Sequence, residues 1–169
     1  MHPNEITTLM SQAGGDCLPP TLAAAVRRVL ARLQYAPDGM QLLPQPRSRE
    51  LALTSSTEAS TTLRVDVPFI LWGLRGGFKS DDSLQRDSAE GVRVNIELPS
   101  KLALVGDSAQ GLNLSALVDA EEAWPLHPPV LIVPNAPLTI RARPGTLYGT
   151  EVTAIVHFYG ISLHGCSIS

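Results

Sequence analysis

The residues of this 169-residue chain whose types and spacing could do chemistry are few. Gly106-Asp107-Ser108 follows directly on the apolar run Leu102-Ala103-Leu104-Val105, which would set a serine hydroxyl at a strand end. A nucleophilic serine needs a base to take its proton and donors for the developing oxyanion, and His164 is the candidate base. Glycine, aspartate and serine are equally the residues that make a turn, and 106–108 is read as one. The four histidines, His2, His127, His157 and His164, include no pair with the short spacing of a helical zinc site. His157, His164 and Cys166 form the one metal arrangement to weigh; a half-buried strand histidine in core or interface hydrogen bonds is the preferred reading, so no metal and no cofactor are expected. Asp81, Asp82, Asp87 and Glu90 lack the alternating order of an EF-hand loop and read as a solvated hairpin tip. Arg75-Gly76-Gly77 reads as a turn. Asn113-Leu114-Ser115 fits a glycosylation sequon but carries little weight without a secretory signal. Arg27, Arg28 and Arg32 are the candidate partner-binding residues, a cluster suited to phosphate or an acidic partner.

The Gly106-Asp107-Ser108 block resembles that of the SGNH hydrolases, in which the serine is the nucleophile. There the base histidine follows an aspartate by three residues; here position 161 is isoleucine, and the later Gly-x-Asn-Asp block is missing. The sequence departs from the hydrolase pattern where the chemistry is done, and no catalytic residue is assigned.

The elements that would position these residues follow from periodicity. Thr21 can cap a helix after Pro20, with Leu22, Val26, Val29, Leu30 and Leu33 on one face and the arginines on the other. Pro37 and Asp38-Gly39 stop it. Residues 1–19 read as an arm, and Pro44 and Pro46 impose an extended connection over 41–49. Beyond it the period becomes two: strands are predicted at 51–53, 63–72, 92–98, 102–105, 130–133, 138–142 and 151–163. In the last, Val152, Ala154, Val156 and Phe158 share one face while Ile155 and Tyr159 sit on the other, the pattern of a central strand covered on both sides. Leu114, Leu117 and Val118 fit a single helical turn. Many short strands with turns between them predict a mainly β fold, an antiparallel sandwich or jelly roll, with one N-terminal α-helix and an extended arm. The arm, helix and linker take residues 1–50 and the sandwich 51–169.

Composition sets the outer bounds. The length suits one domain able to bury a core without metals or disulfides. Charged residues make up only 17%, which leaves more surface for a partner to cover, and the net charge of −3 argues against a generally nucleic-acid-binding surface. Cys17 and Cys166 are expected as reduced thiols. Residues 1–15 show no signal-peptide pattern, and no apolar run is long enough to span a bilayer. Trp72 and Trp124 are expected to pack in the core or an interface.

Three blocks over the C-terminal two-thirds of the chain carry a further likeness. They are Asp66-Val67-Pro68-Phe69-Ile70-Leu71, Asn135-Ala136-Pro137-Leu138-Thr139-Ile140-Arg141-Ala142, and Val156-His157-Phe158-Tyr159-Gly160-Ile161-Ser162-Leu163. In general character they resemble bacteriophage virion structural proteins, which pair an N-terminal arm and helix with a β-sandwich that assembles into rings or shells. The resemblance carries over no functional residue. It implies a non-enzymatic virion component (minor capsid, decoration, connector or tail-associated), made in the host cytoplasm. Its partners would be copies of itself or other virion proteins, with nucleic acid met only through the basic helix and no membrane. The alternative is a cellular β-sandwich module for carbohydrate or protein, with Trp72 and Trp124 on an exposed platform.

Overall fold

The structure, a computed structural model, describes residues 8, 23–24, 27–28, 30–31, 41–54, 58–79, 91–100, 103–105, 111–118, 123–144 and 152–164. The protein is mainly β, built from two antiparallel sheets. The first contains β1 (Gln41–Pro44), β2 (Arg47–Leu53), β4 (Phe69–Phe78), β8 (Trp124–Ile132) and β10 (Val152–His164). The second contains β3 (Ala59–Leu63), β5 (Arg93–Glu97), β6 (Ala103–Val105), β7 (Leu112–Asn113) and β9 (Leu138–Arg143).

β10 is the spine of the first sheet, as its two-faced pattern predicts. One side pairs with β4; the other takes β2 along residues 152–158 and β1 along 161–164, and β8 closes the far edge on β4. The span 41–49 is extended as expected, and apart from Gln45 and Pro46 it is strand, hydrogen-bonded to β10 rather than a free connection. In the second sheet β9 lies between β3 and β5, and the far side of β5 carries β6 and β7 at its two ends.

Period-two alternation makes one hydrophobic cluster from both sheets. Leu51, Leu53, Phe69, Leu74, Val156 and Phe158 enter it from the first, and Leu63, Val94, Ile96, Leu138 and Ile140 from the second. Arg49 ties the sheets at one margin, its Nε donating to the Thr62 carbonyl at 3.0 Å. The helical turn foreseen around Leu114 is present at Ser115–Val118, and it seats Leu114 and Leu117 in the core.

Close contact explains two glycines. A Cβ at Gly160 would overlap Phe69 Cζ and stand 2.6 Å from the Ile70 carbonyl oxygen, so the Phe69 ring lies flush on β10 only because that side chain is missing. At Gly76 a Cβ would lie 2.8 Å from Leu114 Cδ1 and 3.0 Å from Leu117 Cβ. Arg75-Gly76-Gly77 is therefore not the turn its composition suggests. It is the interior of β4, and the bare backbone at Gly76 lets the helical turn pack down on the strand.

Candidate functional site

The outer face of the first sheet gathers the richest set of side chains outside the core. Along β10 the positions that alternate with Ala154, Val156 and Phe158 are Ile155, His157 and Tyr159, all half-buried. On β4 the register with β10 slips by one: Tyr159 pairs with Gly73 and Gly160 with Leu71, leaving Trp72 as an extra residue. Trp72 follows Ile70 on the outer face, and the bulge leaves Gly73 beside it there; the Trp72 ring meets Tyr159 at 5.8 Å between centroids and 47° between planes. That tilted geometry is the one aromatic quadrupoles favour.

His157 stands in register between Arg75 on β4 and Ser48 on β2. Burial lowers its pKa first, and the neighbouring Arg75 guanidinium lowers it further, so the imidazole is neutral at neutral pH. Arg75 is exposed and makes no ion pair among the described residues. Farther along the face Lys79 Nζ and Glu50 Oε2 meet at 2.9 Å, an exposed pair of small energetic weight. The result is an aromatic pair beside an uncommitted guanidinium and a neutral imidazole.

The opposite end of the same face is dry. Ile70, Ile161 and Leu163 are 0%, 1% and 0% exposed, yet none belongs to the hydrophobic cluster between the sheets. Ala23 and Leu30 are also buried outside that cluster. The described residues of the N-terminal stretch are helical, with Ala23 and Leu30 buried and Ala24, Arg27, Arg28 and Ala31 exposed, an amphipathic division.

Arg27 and Arg28 thus lie on the exposed side, Arg28 Nε reaching back to the Ala24 carbonyl at 3.4 Å; Arg32 lies outside the described residues. So do Gly106, Asp107 and Ser108, the acidic segment 81–90, His2, Cys17, Cys166 and, apart from Thr8, the arm. His157 and His164 are not brought together: seven residues apart on one strand, they point to opposite faces roughly 24 Å apart along it. Trp124, expected in packing, is 40% exposed at the start of the edge strand β8. Trp72 and Tyr159 meet as a pair that sequence spacing did not reveal, because the run Phe69-Ile70-Leu71-Trp72 is apolar on both faces and what joins the two rings is the pairing register of β4 with β10.

No family model matches the chain, and no curated protein is similar to it. What the surface can do follows from its own chemistry. Two aromatic rings, a guanidinium and a neutral imidazole share one half-open face.

Proposed function

We propose that the protein is a non-enzymatic β-sandwich, its two sheets the two layers, that works by packing against other protein subunits as a structural component of a bacteriophage virion would. The observation that carries this is the Trp72–Tyr159 pair beside Arg75, which has no ion pair among the described residues. Trp, Tyr and Arg are the residues that dominate protein–protein hot spots, and here they share one half-open face. Leu43, Trp124 and Val133, the exposed large hydrophobics among the described residues, add to it at the two margins of the same sheet. Low charge density supports the same reading. Pro125, Pro128 and Pro129 remove backbone donors from the β8 edge, so the contact runs through side chains rather than strand addition there.

Light scattering over a concentration series tests the proposal. A defined oligomer that weakens in Trp72→Ala is expected; a monomer at the highest attainable concentration overturns it. The same aromatic pair favours a second reading, a carbohydrate-binding module. Glycan binding abolished by Trp72→Ala, in a protein that stays monomeric, would replace the first reading with this one.

A further inference from the structure

The outer face of the second sheet gathers three arginines. There Arg141 and Arg143 alternate with the buried Ile140 and Ala142 on β9, and Arg93 precedes the buried Val94 on β5. Register sets Arg93 directly opposite Arg143 and Arg141 opposite Asn95, so Arg93 has one arginine across the ladder and a second on the diagonal.

Like charges directly opposed across a ladder cost stability. The nearby carboxylates answer only part of the charge. Arg143 Nε meets Glu58 Oε2 at 2.9 Å, at the margin of the face; Arg141 Nη2 is 3.8 Å from Glu97 Oε2; Arg93 has no ion pair among the described residues. The remaining outward positions bear hydroxyls and amides, with Ser60, Thr62, Thr139 and Asn113 around the arginines. Among the described residues this face has no aromatic and no large aliphatic side chain.

We infer that the Arg93–Arg141–Arg143 face binds the phosphodiester backbone of duplex nucleic acid. Guanidinium groups and hydroxyls are the donors that contact phosphate oxygens. A protein partner would need an apolar anchor in the centre of its contact, and among the described residues this face offers none. Single strands are held in large part by stacking on aromatic rings, which are also missing, so a duplex is favoured over a single strand and base sequence is not read. This inference is independent of the subunit-packing function proposed for the other face.

The experiment is fluorescence anisotropy of the full chain with a short mixed-sequence DNA duplex, titrated from about 50 to about 200 mM salt. Three neutralised phosphates predict a slope of log K against log salt of about −2.7, an affinity loss of about 40-fold across that range. Arg93→Ala and Arg141→Ala should each reduce the slope by roughly 1 while weakening binding equally on unrelated duplexes. Arg93→Lys, which keeps the charge, should keep the slope. Binding that is undetectable at the lowest salt overturns the inference. So does binding undiminished when Arg93, Arg141 and Arg143 are all replaced by glutamine, which would move the contact to Arg27 and Arg28. Tighter binding of poly-glutamate than of duplex at equal salt overturns it in favour of an acidic protein.

Discussion

The outer faces of the two sheets are made by the same alternation and end as chemical opposites. That of the first sheet carries Ile70, Ile161, Leu163, Ile155, Trp72 and Tyr159, and half of it is sealed from water. That of the second carries Arg93, Arg141, Arg143, Ser60 and Thr62, all exposed. Both sheets bury their inner faces in one cluster, so the core does not distinguish them. What differs is what each outer face presents: apolar and aromatic side chains on one, guanidinium and hydroxyl groups on the other. An antiparallel sheet normally needs only one dry face. β4 and β10 are dry on both faces at Ile70, Ile161 and Leu163.

The largest expected effect comes from breaking the dry end. Ile161→Ala should cost about 2–4 kcal/mol in urea unfolding, by lost burial and the cavity left behind. Thr139→Ala, on the outer face of the other sheet, should stay within about 0.5 kcal/mol. Similar losses at both positions would erase the contrast. Next is the half-open end, where Trp72→Ala should weaken self-association by about 2 kcal/mol, roughly 30-fold in the dissociation constant, as read by sedimentation equilibrium.

A third measurement concerns His157. Because its pKa is lowered in the folded state, the unfolded chain binds the proton more readily, and stability is fully held above the unfolded value near 6.5. It falls as the pH drops below that value toward the lowered folded one, and no His157-linked change is expected above it. Arg75, in register across the ladder, opposes the protonated form. His157→Gln should flatten the acid limb of unfolding midpoints measured from pH 7 to pH 5; an unchanged limb would place the acid sensitivity elsewhere. The smallest effect belongs to the basic face. Arg93→Thr should raise stability by up to about 0.5 kcal/mol through relief of the Arg143 opposition, and added salt should erase the gain.

Much of this architecture is legible in the sequence, because burial on one face writes a period of two. Val92–Leu98, Leu138–Ala142 and Val152–Leu163 show it, and β10 also declares its central place by being apolar on both sides. The single turn at Ser115–Val118 is foreseeable from Leu114, Leu117 and Val118. Glycine and proline mislead where tertiary contact overrides their local preference. Gly76 and Gly77 suggest a turn but lie in a strand, since the first makes room for Leu114. β8 reaches back to Trp124 through three prolines, which only an edge strand tolerates. The surface sites are less legible still. Arg93 and Arg143 are fifty residues apart, and what joins them is a pairing register that no local pattern encodes.

The extra residue at Trp72 also works as a parity switch. Before it the inward positions of β4 are odd, Phe69 and Leu71; after it they are even, Leu74, Gly76 and Phe78. Delete Trp72 itself and the alternation runs on unbroken, with Gly73 outward and Leu74 still inward, so the loss is one ring and the bulge. Delete a neighbour downstream, or insert a residue there, and the positions beyond it turn over, sending Leu74 toward water and Arg75 into the core. The parity of β4, more than the identity of residue 72, is what this part of the fold cannot change.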